Sequence, residues 1–156
     1  MSQSKAGFWF LLAQWFLLAG FALSIVFREL GSRSVWLVVA GILLAVFGIV
    51  VVFAAGAAHY AVNKSGKVRI SPTPDASRKL VDIGIYGKVR HPMYLGTIIV
   101  LAGLTLSFGG YYSAVLTLLG LIFVNVKASY EEKLLREVYP EYQGYTARTG
   151  RIFPRF

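Results

Sequence analysis

With 156 residues, 56% hydrophobic side chains and only 15% charged ones, and a mean hydropathy of +0.63, the chain lies outside the balance of a soluble domain and reads as a membrane protein. Its net charge of +9 sits in blocks instead of spreading over a face, which argues for a basic loop against anionic lipid headgroups and against a nucleic-acid partner. Cysteine is absent, which excludes a disulfide framework, a thiolate nucleophile and a cysteine-based metal site.

Between Lys5 and Arg28 lie 22 uncharged residues. About 20 apolar residues cross a bilayer as a helix, so this run predicts a transmembrane helix over 6–27. It is too long for a signal-peptide core and lacks a small-residue cleavage site after it, so it is expected to remain in the mature protein. Gln14 is its one strongly polar side chain; it serves either as a cross-helix tie or as a substrate contact. The next uncharged run, 30 residues between Arg33 and Lys64, predicts a second helix over 35–58. Gly41 and Gly48, seven apart, and the run AAGAA at 54–58 give it a smooth surface for close helix approach, while Gly20 and Gly31 flank the first outer turn. His59, at its end, reads as an interfacial residue.

From 63 to 82 the chain is polar, with two prolines, a glycine and no strong period: a loop, resting near headgroups or folding over a site. Seven Lys or Arg against two Asp fall between 57 and 92, and FGGYY at 108–112 carries no charge. The positive-inside rule then puts the loop and both termini in the cytoplasm of a cell (inner) membrane protein.

Pro92 suits the first turn of a helix, where its missing N–H costs nothing, and predicts a third span over 92–108. A fourth over 111–127 is expected to run on without a break through KASYEEKLLREVY, which holds no Gly or Pro until Pro140. The expected architecture is all-α: one polytopic domain, 1–156, of four transmembrane helices with a helical C-terminal cytoplasmic extension. The short hairpin of helices three and four would bring Arg90 and His91 to the same membrane face as Glu131 and Glu132.

Two readings of that cluster stand side by side. One is an interfacial ion-pair network of Arg90, Lys127, Glu131, Glu132 and Arg136. The other is a site for a zwitterionic ligand, with the acidic pair toward an ammonium or ribose hydroxyls, Arg90 and His91 toward a carboxylate, and the tyrosines at 86, 94, 130, 139, 142 and 145 offering stacking surfaces. A metal centre is not expected, because His59 and His91 are the only two histidines. No phosphate-binding glycine motif or GxSxG elbow is present. An exporter would need an acid inside the membrane, and all seven carboxylates lie outside the apolar runs. A non-enzymatic membrane scaffold is the remaining rival.

The segment from Gly84 to Gly96, followed about 35 residues later by Glu131-Glu132 and then by Tyr142, Tyr145, Arg148, Arg151 and Pro154, resembles the isoprenylcysteine carboxyl methyltransferase family, whose wider relatives include phospholipid methyltransferases. Arg90, His91, Pro92, Tyr94 and Gly96 match its Arg-His-Pro-x-Tyr-x-Gly signature. The chain departs from the family in carrying Gly84-Ile85-Tyr86-Gly87 before the signature and Tyr139-Pro140 before Glu141. The resemblance implies a multi-pass membrane enzyme that binds S-adenosyl-L-methionine in a pocket built from 84–156, outside any Rossmann fold. It implies cofactor contacts from Tyr86, His91, Pro92, Tyr94, Leu95, Gly96, Glu131, Glu132 and Tyr142, and catalytic roles for Arg90 and His91. Acceptor contacts would fall to Arg90, Gln14, Tyr145, Arg148 and Arg151. The implied acceptor is lipid-like or prenylated and enters from the bilayer. A carboxylate acceptor needs no general base, whereas an amine must first lose a proton, for which His91 or a glutamate could serve.

Overall fold

The computed structural model describes residues 3–26, 34–64 and 79–155. The first outer turn with Gly31 and most of the basic loop, 65–78, lie outside the described residues. The order of elements is α1 (Gln3–Val26), α2 (Val35–Asn63), a 3-10 turn (Gly84–Gly87), α3 (Pro92–Phe108), α4 (Tyr111–Val138) and α5 (Tyr142–Arg148). Among the described residues no strand forms; a single parallel bridge joins Val89 to Gly150. Three helices are long and apolar enough to cross a membrane: Lys5–Val26, Val35–Asn63 and Tyr111–Val138. The fourth predicted span is a shorter apolar helix of 17 residues, about 26 Å at ~1.5 Å per residue, which falls below a ~30 Å hydrocarbon core. The chain is a helical membrane protein, in which each span satisfies its own backbone polar groups.

Two boundaries differ from the sequence expectation. The second helix runs five residues past 58, to Asn63, because nothing in HYAVN breaks it. It ends at Lys64, whose left-handed backbone (φ 50°) lets its N–H reach the Tyr60 carbonyl at 2.8 Å. Asn63 then closes the base of the loop: its side chain accepts from the Lys79 N–H at 2.9 Å and donates to the Lys79 carbonyl at 3.3 Å. The fourth helix continues unbroken through the charged stretch to Val138, as expected, and a separate short helix, α5, follows the break at Pro140.

The most extensive helix contact is between α2 and α3, and its cause is small residues in matched register. Gly41, Ala45, Gly48 and Val52 on α2 face Gly96, Val100, Gly103 and Ser107 on α3. A Cβ on Gly48 would lie 2.7 Å from the Gly96 carbonyl, and one on Gly103 would lie 2.5 Å from the Ala45 nitrogen. The backbones touch, as in small-xxx-small pairs of membrane helices. Ser107 adds a hydrogen bond from its hydroxyl to the Val38 carbonyl at 3.0 Å. The AAGAA run is split in use: Ala55 is fully buried, whereas Gly56 faces open space.

The α3–α4 hairpin turns on Gly109 and Gly110. Ser113, fully buried, accepts the Gly110 N–H at 2.6 Å and so caps α4. One turn further in, the Thr105 and Thr117 hydroxyls meet at 2.9 Å. α1 packs on α4 alone among the major contacts, through Phe10 against Phe123 and Tyr130, Gly20 against Leu116, and Gln14 against Lys127. The outward faces of α1 and α2 carry Trp15, Phe16, Trp36, Phe47 and Phe53, all largely exposed, as a lipid-facing surface requires.

Candidate active site

The antiparallel α3–α4 hairpin returns the polar end of α4 to the start of α3, where residues 88–91, just ahead of the helix, make a turn whose one regular feature is the Val89–Gly150 bridge. That turn is held by the C-terminal tail. Arg90 N–H donates to the Gly150 carbonyl at 2.8 Å, His91 N–H to the Arg151 carbonyl at 3.0 Å, and Gly150 N–H to the Lys88 carbonyl at 3.0 Å. Three backbone bonds thus fix residues 88–91 across some 60 residues of sequence, and they aim the side chains of Arg90 and His91 at α4.

Glu132 is the centre of the cluster and is buried, with only 2% of its surface exposed. Its Oε1 accepts from Arg90 Nε at 2.8 Å and its Oε2 from Arg151 at 3.1 Å. Arg90 is spent elsewhere too: its Nη1 donates to the carbonyls of Thr146 (3.3 Å) and Thr149, the orphan acceptors at the end of α5. A buried carboxylate with two guanidinium partners is the arrangement in which burial is tolerable.

His91 stands at the N-cap of α3, 8% exposed, with Nδ1 3.5 Å from Glu131 Oε2 and Nε2 3.5 Å from Glu132 Oε1. Both are ion-pair distances, longer than well-made hydrogen bonds, and Nε2 has no hydrogen-bond partner. Its ring stacks on Tyr94, 5.4 Å between centroids with planes 5° apart. Tyr94 in turn donates its hydroxyl to Glu131 Oε1 at 2.5 Å.

On the tail side, Tyr145 donates its hydroxyl to the Tyr86 carbonyl at 2.7 Å, and Tyr142 packs edge-on against Tyr145. The Tyr142 ring is 1% exposed and its hydroxyl has no partner. Burial, reinforced by the Glu131 carboxylate, pushes the Tyr86 phenol up to about 12. Burial raises Tyr142 and Tyr145 as well, with the Glu132 carboxylate adding to the first and Tyr86 to the second. All three phenols therefore remain donors at neutral pH.

The structure brings Arg90, His91, Tyr94, Glu131, Glu132, Tyr142, Tyr145 and Arg151 into one cluster, with the backbone of Tyr86 at its edge. Pro92 is buried behind it as the first residue of α3. Leu95 packs on the small apolar core around Ile98, Val124 and Ala128. Gly96 faces α2, where a Cβ would meet Val52 at 2.7 Å. Arg148 lies at the surface in an ion pair with Asp82 at 2.6 Å. Lys127 is 1% exposed, its ammonium donates to Gln14 at 2.9 Å and it lies 5.3 Å from the Tyr94 ring centroid. Arg136 instead lines a separate polar cavity of about 340 Å³ with Tyr139, Gln143 and Thr146. Thr149 and Gly150 escaped sequence reasoning because they act through backbone groups, which leave no side-chain pattern. Among the described residues no three His, Asp or Glu side chains gather as metal ligands would.

No curated protein matches the chain. The sequence model of the family described as phospholipid methyltransferase matches residues 36–142, which takes in nearly all of α2, with α3, α4 and the cluster residues from Arg90 to Tyr142, and leaves out α1 and the tail with Tyr145 and Arg151. A match over more than half of the sequence, together with a helical membrane architecture that converges on this cluster, shows that the chain belongs to the phospholipid methyltransferase family of membrane proteins.

Proposed function

We propose that the protein transfers the methyl group of S-adenosylmethionine to an amphiphilic acceptor at the membrane face, with the carboxylate of a prenyl-cysteine-like molecule as the preferred acceptor. The observation that carries this reading is the cluster of two carboxylates and a histidine, beside a buried tyrosine hydroxyl with no hydrogen-bond partner, in a chain of a methyltransferase family. Its residues suit the cofactor. The Tyr142 hydroxyl and His91 Nε2 are buried polar atoms with unused capacity, and such groups call for a ligand or water. Glu131, with one oxygen held by Tyr94 and 15% of its side chain exposed, is the carboxylate open to an ammonium or to ribose hydroxyls.

S-adenosylmethionine, held by Glu131, His91 and Tyr142, would supply an electrophilic methyl that an acceptor carboxylate oxygen could take, with a neutral thioether as the leaving group and no proton to be moved. The chain's own work is then positioning and exclusion of water. Arg90, with Nε on Glu132 and Nη1 on the α5 carbonyls, acts as a positioning residue that locks tail to turn. His91 and Tyr94 form a flat wall against which the reactants align. The bilayer-facing α1 and α2 provide the route by which an amphiphile arrives.

A second reading, N- or O-methylation of a phospholipid or other small amphiphile, is favoured by the family's own description. An amine acceptor must lose a proton first, and His91 is the group in place to take it. Calorimetric titration of the detergent-purified protein with S-adenosylmethionine tests the reaction class. Saturable binding, lost in Glu131→Ala and His91→Ala, is the expected result; no binding by folded wild-type protein in detergent or in lipid nanodiscs would end the proposal.

A further inference from the structure

Beside the charged cluster, on the α1 side of Tyr94, lies a second cavity. It has a volume of about 210 Å³, is bounded by α1, α3 and α4, and its walls include Leu17, Leu101 and Phe123, with Gln14, Tyr94 and Lys127 supplying the polar surface. Gln14 is the twelfth residue of α1, roughly 17 Å along that helix from its start. A lysine held there, 1% exposed, is an ionisable group drawn into the membrane-spanning body of the bundle, which is costly and marks a functional position.

From these observations, and resting on the methyltransferase reading above, we infer that Lys127 and Gln14 select the acceptor: the cavity takes one apolar chain of an amphiphile whose anionic carboxylate is held by the Lys127 ammonium. Three features point the same way. The lining is apolar apart from Gln14, Tyr94, Lys127 and the Thr97 hydroxyl, which is spent on the Met93 carbonyl, so a ligand must be amphiphilic with its polar group toward Lys127. The volume is below the ~300–1,000 Å³ of sites for drug-sized ligands, so it accepts one chain and not the two of a diacyl lipid. The charge at the polar end is positive, which attracts a carboxylate and repels an ammonium, and like charges brought together in a dry site cost several kcal/mol. Tyr94 joins the two sites, because the ring that borders the cavity and lies beside Lys127 also stacks on His91. An anionic group at Lys127 is thereby delivered to the edge of the His91–Glu131 cluster. Gln14, on α1, lies outside the residues matched to the family.

The test is photo-crosslinking of the full chain in lipid nanodiscs with a single-chain carboxylic acid bearing a mid-chain diazirine. Label is expected on Leu17, Leu101 or Phe123, displaced by the unlabelled acid and not by the amine of equal length. Lys127→Met should lower labelling by about tenfold or more, and Lys127→Arg should retain most of it. Gln14→Glu guards against a folding artefact: it places a carboxylate against Lys127 and strengthens the α1–α4 tie, yet should lower labelling as Lys127→Met does. If Lys127 were a structural tie alone, Gln14→Glu would leave labelling intact. Equal displacement by acid and amine, or full labelling in both Lys127→Met and Gln14→Glu, overturns the inference. Failure of the methyltransferase reading shows separately, as absent S-adenosylmethionine binding in calorimetry whatever the crosslinking pattern.

Discussion

Arg90 and Glu132, 42 residues apart in sequence, meet through a 2.8 Å hydrogen bond between Nε and Oε1, with side chains only 10% and 3% exposed. Because Glu132 also accepts from Arg151, one carboxylate joins the turn before α3, the body of α4 and the C-terminal tail. Removing one partner of such a buried pair strands the other, at about 3–5 kcal/mol. Glu132→Ala should therefore unfold the polar end of the bundle at a markedly lower temperature than wild type. Arg90→Lys should be impaired too, since an ammonium cannot reproduce the guanidinium fork that reaches Glu132 and the α5 carbonyls together. Thermal unfolding in detergent measures both; wild-type behaviour of Arg90→Lys would show that the fork is unimportant.

The α2–α3 contact makes a sharper steric prediction. Gly103→Val would push a side chain into the Ala45 backbone, where even a Cβ sits at 2.5 Å, and overpacking of a tight interface costs typically ~1–3 kcal/mol. Gly56→Ala, with nothing within 4 Å of its Cβ, should be neutral or stabilising by up to about 1 kcal/mol from helix propensity. Detergent-resistant folding of the two variants separates them. Equal stability would show that the helices slide apart at no cost.

Much of this is legible in the amino-acid sequence. The four apolar runs, Pro92 as a helix start and the unbroken passage of α4 into KASYEEKLLREVY all follow from run length and from where Gly and Pro fall. The meeting of His91 with Glu131 and Glu132 follows from hairpin geometry alone. Linear position puts Lys127 at the end of an apolar run, where lysines usually reach for water; only the packing of α1 against α4 shows that it also turns to Gln14. The approach of Gly96 to Val52 depends on the register of α2, which no local pattern encodes. The tail's grip on residues 88–91 was invisible for a third reason, being made by backbone groups whose side chains carry no sign of it.

That grip has a weak point at Gly150. A Cβ on Gly150 would overlap the Phe153 carbonyl and crowd the Arg155 nitrogen, so Gly150→Ala should force the tail off the Lys88–His91 backbone and free the three hydrogen bonds it shares. Limited proteolysis should then cut near 149–155 at least several-fold faster, while the helical circular dichroism signal stays at its wild-type level. With Arg151 withdrawn from Glu132, S-adenosylmethionine affinity should fall by about tenfold, the loss of roughly one charge-assisted hydrogen bond. Unchanged proteolysis would mean that the tail tolerates the methyl by a local shift.

The tyrosines of the site predict an alkaline limb. The Tyr86 phenol, ordinarily near 10, is raised to about 12 by burial and by the Glu131 carboxylate. Between those two values the unfolded chain gives up this proton while the folded protein keeps it, so stability is fully present below about pH 10 and is lost as pH climbs through about 12. Tyr142 and Tyr145, raised for the same reason, act in the same direction and steepen the fall. The unfolding temperature in detergent should hold level to about pH 10 and then drop. Tyr86→Phe removes one titrating group without removing the Tyr86 carbonyl that receives the Tyr145 hydroxyl, so it should make the drop shallower while leaving the neutral-pH value close to wild type. A drop of unchanged steepness in Tyr86→Phe would show that the phenol is already hydrated in the folded protein and that the alkaline sensitivity resides in Tyr142 and Tyr145, where the same substitution is the next comparison to make.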